Sequence, residues 1–122
     1  MPEAPHTVLV VEDDDDLRDL LTSLLEHEGF EVASARNGLD ALEYLRTHAP
    51  PCIIVLDLMM PVMSGPEFRA EQLRDGDLAD IPVVVLSASH DGRRQAEAMR
   101  AHEFFPKPVP IDAFCHAVRA RC

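Results

Sequence analysis

Three short apolar runs constrain the fold of this chain more than any other feature of its sequence. They occupy residues 8–11, 53–56 and 83–86, they consist of valine, isoleucine and leucine, and none alternates with polar residues. Strands that are apolar on both faces are typical of a parallel sheet with helices on each side. Segments with helical spacing of apolar residues separate the runs, so the sequence predicts repeated βα units and an α/β fold.

Five βα units are predicted along the chain. The predicted strands are residues 7–11, 31–35, 52–56, 83–86 and 103–105. The second and fifth are more polar than the other three, and Pro106 directly follows the fifth. Because proline has no backbone N–H to give to a neighbouring strand, we predict that the fifth strand is the outermost one.

Five helices are predicted from apolar residues at helical spacing and from glycine and proline at the ends of segments. The first ends near Gly29, the second precedes Pro50, the third begins at Pro66, the fourth covers residues 95–100 and the last begins near Ile111. The residues that mark the inner faces of these helices are Leu17, Leu20, Leu21, Leu24 and Leu25, then Leu39, Leu42 and Leu45, then Phe68 and Leu73, and finally Ala113, Phe114, Ala117 and Val118.

Length and charge exclude several classes of protein. A chain of 122 residues with 47% hydrophobic residues suits one domain, here residues 1–122 with a core over 7–121. Its 22 acidic and 11 basic side chains give a net charge of -11, which repels nucleic-acid phosphates and anionic membranes. The first residues lack a signal-peptide pattern and no apolar run approaches the ~20 residues of a membrane span, so we expect a cytoplasmic protein.

The three cysteines bear on the compartment as well. Cys52, Cys115 and Cys122 have none of the spacings of a metal site. Their odd number argues against a disulfide framework, which agrees with a reducing compartment.

Polar and charged residues directly follow four of the predicted strands. Asp57 ends the third apolar run, Glu12 and Asp13 follow the first, Ser87 follows the fourth and Lys107 follows the fifth strand. The carboxyl ends of parallel strands share one edge of the sheet, where open α/β sheets bind their ligands. We therefore expect these five side chains to lie together.

Three carboxylates in one place require a cation. Two carboxylates roughly 4 Å apart repel by about 4 kcal/mol at an effective dielectric constant of ~20. Oxygen ligands select a hard ion, and Mg²⁺ is the usual one where a phosphoryl group is also held. Mg²⁺ and Lys107 together balance the charges of Glu12, Asp13 and Asp57. Such a set suits phosphoryl transfer to a carboxylate, with Asp57 as the nucleophile.

The chain resembles the response-regulator receiver domains of two-component signalling. The matching features are the acidic pair Glu12-Asp13, the segment Asp57-Leu58-Met59-Met60-Pro61 with Gly65, the Ser87-Ala88 step and Lys107-Pro108. The likeness covers residues 7 to about 121. It implies a flavodoxin-like (βα)5 doubly wound fold with five parallel strands in the order 2-1-3-4-5 and helices on both faces.

The resemblance also assigns roles around the metal. It implies that Asp13 and Asp57 bind Mg²⁺ directly and that Glu12 binds it mainly through water. The backbone carbonyl of Met59 would be the remaining protein ligand, and Mn²⁺ could substitute for Mg²⁺.

Further roles are implied for residues around the phosphoryl group. Ser87 would donate its hydroxyl, Ala88 would contribute a backbone contact and Lys107 would pair with another oxygen. Phe104 matches the aromatic switch position, where the family often has tyrosine. The Lys107-Pro108 peptide bond is typically cis in this family.

Partners follow from the same resemblance. The donor would be a phosphohistidine on a sensor histidine kinase or a histidine phosphotransfer protein. Helix 4, strand 5 and helix 5 would present the output face to a downstream protein target or effector domain, with no direct nucleic-acid or membrane contact. The chain would be a monomer or a phosphorylation-dependent dimer. Its chemistry would be limited to self-phosphorylation from phosphodonors and slow autodephosphorylation, so it would not be an enzyme.

The sequence departs from the family pattern on the output side. Arg100 stands where a glycine commonly precedes the fifth strand, and a residue with a side chain adopts left-handed geometry at a cost. Pro106 precedes Lys107, and Val109 replaces a frequent aromatic residue. These departures leave the proposed metal ligands untouched.

Some of these residues also allow other interpretations. Asp14, Asp15 and Asp16 suit the capping of the first helix, whereas Glu12 and Asp13 are assigned to the metal. A phosphohydrolase with an aspartyl-phosphate is an alternative, but Met59 leaves no second carboxylate for a general acid. The chain could also be a receiver module of a larger response regulator or hybrid histidine kinase. A vestigial interaction module is disfavoured by the complete set of acidic, hydroxyl and lysine residues.

Overall fold

The computed structural model of the chain describes residues 6–122. Residues 1–5, which enter the expectation that no targeting segment is present, lie outside the described residues. The strands are β1 Thr7–Val11, β2 Glu31–Ala35, β3 Ile53–Asp57, β4 Val83–Ser87 and β5 Glu103–Pro106. The helices are α1 Asp15–His27, α2 Gly38–Thr47, α3 Gly65–Arg74, α4 Gly92–Ala98 and α5 Ile111–Arg121.

The five strands form one parallel sheet in the order β2-β1-β3-β4-β5. This arrangement confirms the flavodoxin-like fold that the resemblance implied. The outermost position of β5 is also confirmed, and β2 forms the opposite edge. The three apolar runs therefore occupy the three central strands, which are buried throughout apart from the first residue of β1.

The core consists of two layers, one on each face of the sheet. Residues Val8 and Val10 of β1 point to the layer that α1 and α5 cover. Their neighbours Leu9 and Val11 point to the layer that α2, α3 and α4 cover. Since successive residues of a strand face opposite sides, a strand without polar alternation can contribute to both layers at once.

Several predicted inner residues lie at the protein surface. Leu20 is 51% exposed, and Leu39 and Leu73 are each 41% exposed. Ala113 of α5 is also exposed, whereas its neighbour Cys115 is buried. The predicted inner faces were too wide because only the middle of each apolar stripe touches the sheet, and residues at its border contact water.

The fourth helix begins earlier than predicted and ends earlier. It covers residues 92–98 instead of 95–100, and Arg100 has a φ of 58°. A residue in left-handed geometry commonly ends an α-helix. Arg100 adopts this geometry although it is not glycine, the residue that commonly stands at this position in the family. Val62, in the loop before α3, also has a positive φ of 69°.

The cysteine prediction was wrong in one respect. Cys52 and Cys122 form a disulfide bond, and Cys115 is the free, buried thiol among the described residues. The two bonded residues are 70 positions apart, and they become neighbours only because α5 packs back over the sheet beside the start of β3. The argument from cysteines to a reducing compartment therefore does not hold.

Within residues 6–122, no helix has both the length and the apolar character needed to cross a membrane.

Candidate functional site

The predicted site residues meet at the carboxyl edge of the sheet. Asp57 and Ser87 are the last residues of β3 and β4, Glu12 directly follows β1, and Lys107 directly follows β5. These four side chains border one cavity of about 480 Å³, and its full lining is Glu12, Asp13, Asp14, Asp57, Met59, Ser87, Ala88, Ser89 and Lys107. The topology places the groups together because every strand end in a parallel sheet points the same way.

Backbone hydrogen bonds of the sheet extend into this site. The Glu12 N–H donates to the Ala35 carbonyl at 3.0 Å, and the Lys107 N–H donates to the Ser87 carbonyl at 2.9 Å. Asp57 is itself paired in register with Leu86 of β4. The site residues are therefore fixed by the ladder of the sheet and not by loop contacts alone.

Lys107 joins two of the carboxylates. Its Nζ donates to Glu12 Oε1 at 2.8 Å and to Asp57 Oδ1 at 3.2 Å. The other oxygen of Glu12 accepts the backbone N–H of Asp14 at 3.1 Å. Glu12 is 1% exposed and Asp57 is 5% exposed, so this ion pair lies largely away from water.

Burial and charge shift the protonation of the site. Burial, reinforced by the nearby charge of Glu12, raises the pKa of Asp57 to about 7, against the lowering effect of Lys107. Burial alone would lower the pKa of Lys107, but its hydrogen bond to Glu12 and the charges of Asp57 and Glu12 outweigh it and hold that pKa above its ordinary value. With one ammonium group beside it, Asp57 is thus only partly ionised at neutral pH.

The donor set fits a metal ion. Oxygen atoms of Glu12, Asp13 and Asp57 lie within 4.8 Å of one another. Three carboxylates face a single ammonium group there, and Asp13 is exposed, which leaves the cluster open to solvent. A divalent cation bound by these oxygens would remove the charge imbalance.

The next acid of the run has a different role. The side chain of Asp14 accepts the backbone N–H groups of Asp16 and Leu17 at 3.0 and 3.2 Å. Asp14 is therefore the N-cap of α1, and Asp15 and Asp16 lie in its first turn. The predicted division of the acidic run into site residues and capping residues agrees with these contacts.

Two glycines leave space around the site. A Cβ atom on Gly65 would lie 2.6 Å from the carbonyl oxygen of Asp57. A Cβ atom on Gly92 would lie 2.8 Å from Ser87 Cβ and 3.0 Å from a ring carbon of Phe104. The start of α3 and the start of α4 can therefore approach the strand ends only because these residues have no side chain.

Ser87 and Phe104 are neighbours through the start of α4. The Ser87 hydroxyl oxygen accepts the backbone N–H of Ser89 at 3.1 Å, which leaves its proton available to another acceptor. The guanidinium group of Arg93 lies 5.0 Å from the centre of the half-buried Phe104 ring. The residue assigned to the switch position thus packs beneath a cation of α4.

Two further predicted features have definite places in the structure. Met59 borders the cavity, with 70% of the residue exposed. The peptide bond between Lys107 and Pro108 is cis.

Arg18 was not identified from the sequence. Its Nη1 donates to the backbone carbonyl of Glu12 at 2.9 Å, and its Nη2 contacts the Asp15 carboxylate at 2.5 Å. The sequence feature that could have identified it is a basic residue one turn into a helix that begins with acidic residues. Arg18 holds the loop that carries Glu12 and Asp13 against α1.

Comparison with known proteins agrees with this arrangement. The family model described as "Response regulator receiver domain" matches residues 8–119. The polar-differentiation response regulator DivK of Brucella anthropi is 30% identical over 119 residues, and the match covers 95% of each chain. The sensor histidine kinase TmoS of Ectopseudomonas mendocina is 35% identical over 116 residues, which are 93% of this chain but 11% of the kinase.

Solved structures have the same fold, and one of them was determined with Mg²⁺-BeF bound. The response regulator TrrA of Thermotoga maritima, solved in complex with Mg²⁺-BeF, superposes with a TM-score of 0.85 at 28% identity. The match covers 96% of this chain and 99% of TrrA. The family match over nearly the whole chain, the strand order and the acidic cluster agree with one another. The chain belongs to the response regulator receiver domain family of two-component systems.

Proposed function

We propose that this chain is the phosphoacceptor of a two-component or phosphorelay system and receives a phosphoryl group on Asp57 with Mg²⁺ bound. The observation that carries the proposal is the buried Asp57 carboxylate, bonded to Lys107 and sharing its cavity with Glu12 and Asp13. Oxygen-only ligands favour Mg²⁺, and Mn²⁺ could substitute for it. The Mg²⁺-BeF complex of TrrA supports the same choice.

Asp57 acts as the nucleophile in this proposal. One of its carboxylate oxygens forms a bond to phosphorus while the P–N bond of a phosphohistidine breaks, and the released imidazole takes up a proton. Because burial raises the pKa of Asp57 to about 7, nearby positive charge is needed to keep it ionised. Lys107 supplies part of that charge. A bound Mg²⁺ would neutralise the remaining carboxylate charge and the phosphoryl oxygens.

The remaining residues would register the new group. Ser87, whose proton is not used by Ser89, would donate its hydroxyl to a phosphoryl oxygen, and the backbone N–H of Ala88 would contact another. Movement of Ser87 would affect Gly92, which packs closely against both Ser87 and the Phe104 ring. Phe104 has no hydroxyl, so its response would consist of a change in ring position beneath Arg93.

The partners would be those of receiver domains in general. A sensor histidine kinase or a histidine phosphotransfer protein would donate the phosphoryl group, and a protein target or effector domain would read the surface of α4, β5 and α5. The match within TmoS shows that a related segment occurs inside a kinase, so the chain could act alone or as a module. We propose no turnover of an external substrate and only slow autodephosphorylation.

Mass spectrometry after incubation with acetyl phosphate and Mg²⁺ tests this function. We expect one phosphoryl group per chain in the wild type, none in Asp57→Asn, and an unchanged yield in the control Asp112→Asn, an exposed acid of α5. Phosphorylation that persists in Asp57→Asn would contradict the assignment of the acceptor. Continuous release of phosphate from an added phosphomonoester, dependent on Asp57, would instead indicate a phosphohydrolase.

A further inference from the structure

A buried arginine lies between α3 and α4, away from the acidic cluster. Arg69 of α3 is 4% exposed. Its Nε donates to the Met99 carbonyl at 3.0 Å, its Nη2 to the Arg100 carbonyl at 2.9 Å and its Nη1 to Gln72 Oε1 at 2.8 Å. All three recorded acceptors are neutral oxygens, and none belongs to an acid.

Gln72 extends this cluster to the segment before β4. Its Nε2 donates to the carbonyls of Leu78 and Ile81 at 2.9 and 3.0 Å, and the residue is fully buried. Among the described residues, no buried side-chain polar atom lacks a hydrogen-bond partner. Arg69 and Gln72 therefore join α3, the end of α4 and the loop that leads into β4 through buried hydrogen bonds.

The two ends of α4 are held very differently. At its start, Asp91 makes no capping hydrogen bond with its side chain, and Gly92 packs against Ser87 and Phe104. At its end, the carbonyls of Met99 and Arg100 accept the Arg69 cation. A cation at the C-terminus of a helix also interacts favourably with the helix dipole.

The same contact supports an unusual backbone conformation. Arg100 adopts a φ of 58°, which residues with side chains keep only where the surroundings hold them there. The hydrogen bond from Arg69 Nη2 to the Arg100 carbonyl provides such a restraint. The Ala101 N–H, bonded to the Ala96 carbonyl at 3.0 Å, completes the turn.

We infer that Arg69 is the fixed pivot of α4: when Asp57 is phosphorylated, the start of the helix moves with Ser87 and Phe104 while residues 99–101 stay bound to α3. This inference rests on the proposed function, because phosphorylation of Asp57 is the event that displaces Ser87. Arg69 touches neither the phosphoryl group nor the proposed metal ligands. It is a positioning residue that converts a displacement at the sheet edge into a rotation of one short helix.

The experiment uses the whole chain, labelled with ¹⁵N, with Mg²⁺ and beryllofluoride in place of the phosphoryl group. In the wild type we expect the amide shifts of residues 91–94 and 104 to exceed those of residues 99–101. In Arg69→Met the shifts should spread to residues 99–101, and their hydrogen exchange without ligand should be faster by about tenfold. Arg74→Met is the matched control, since Arg74 is an exposed arginine of the same helix that pairs only with Glu71 among its recorded partners.

Three outcomes separate the possibilities. Shifts at residues 99–101 as large as those at 91–94 in the wild type would overturn the pivot while leaving the proposed function intact. Unchanged exchange at residues 99–101 in Arg69→Met would also overturn it. Absence of shifts at Asp57 and Ser87 would overturn the proposed function and the inference with it. Should Arg69→Met not fold, Arg69→Lys keeps the charge without the forked donors, and its exchange should lie between that of the wild type and complete loss of protection.

Discussion

The cluster at the sheet edge and the cluster between α3 and α4 are both built from buried polar side chains, yet they differ in completeness. At the sheet edge, three carboxylates share one ammonium group, and the pKa of Asp57 is raised to about 7. Between α3 and α4, the buried N–H groups of Arg69 and Gln72 donate to neutral oxygen atoms. The first, open cluster has more negative than positive charge and suits a ligand site, whereas the second, closed cluster has its donors bonded within the protein and suits a structural joint.

Removing the central residue of the closed cluster should have the largest effect. Arg69→Met removes three charge-assisted hydrogen bonds and leaves the Met99 and Arg100 carbonyls without their donor, so we expect the free energy of unfolding to fall by about 3 kcal/mol. Urea denaturation measures this change. Arg74→Met should stay within about 0.5 kcal/mol of the wild type. Equal effects of the two substitutions would show that the buried cluster is not a joint.

Removing a carboxylate from the open cluster should instead raise the free energy of unfolding. Between pH 3.8 and about 7 the folded Asp57 holds a proton that the unfolded chain has released, so stability falls as pH rises through this range and then levels off. Without metal, Asp57→Asn should therefore exceed the wild type in stability by an amount that grows as the pH rises from 3.8 to about 7. Thermal denaturation at several pH values in EDTA measures it. A difference that stays constant with pH would contradict the raised pKa, and Asp112→Asn is the control.

Binding of a metal ion to the open cluster should give the smallest of the three changes in stability. Mg²⁺ at ten times its dissociation constant should stabilise the wild type by about 1.4 kcal/mol through linkage. Asp13→Asn should reduce the gain, because it removes one of the three converging carboxylates, and Arg74→Met should keep it. Titration of the melting temperature with MgCl₂ is the measurement. A gain that survives in Asp13→Asn would place the ion elsewhere.

The residues of the open cluster could be predicted from the sequence, but those of the closed cluster could not. Glu12, Asp57, Ser87 and Lys107 could be grouped because each lies at the carboxyl end of a predicted strand, and the edge they share is a property of any parallel sheet. Arg69 carries no such signal. It lies on the buried face of α3 beside Phe68, at a spacing that also fits a solvated arginine, and its acceptors are backbone carbonyls that any sequence would provide.

Smaller differences have the same origin. Strands 7–11 and 31–35 were predicted with the correct bounds, but β3 begins and ends one residue later than predicted, and β4 and β5 extend one residue further. A polar residue at a strand end is assigned to the loop from sequence, although its backbone still pairs with the neighbouring strand. The pairing of Cys52 with Cys122 likewise depends on where α5 returns to the sheet, which no local pattern specifies.

The bond between Cys52 and Cys122 gives the molecule a covalent topology that its fold alone does not have. It closes the chain from the start of β3 to the end of α5 into a ring, which contains Asp57, Ser87 and Lys107. The first two strands and helices form an open arm, and this arm carries Glu12 and Asp13. The pairing of β1 with β3 is the seam between ring and arm. The proposed metal ion would therefore bridge that seam, with ligands from both sides of it.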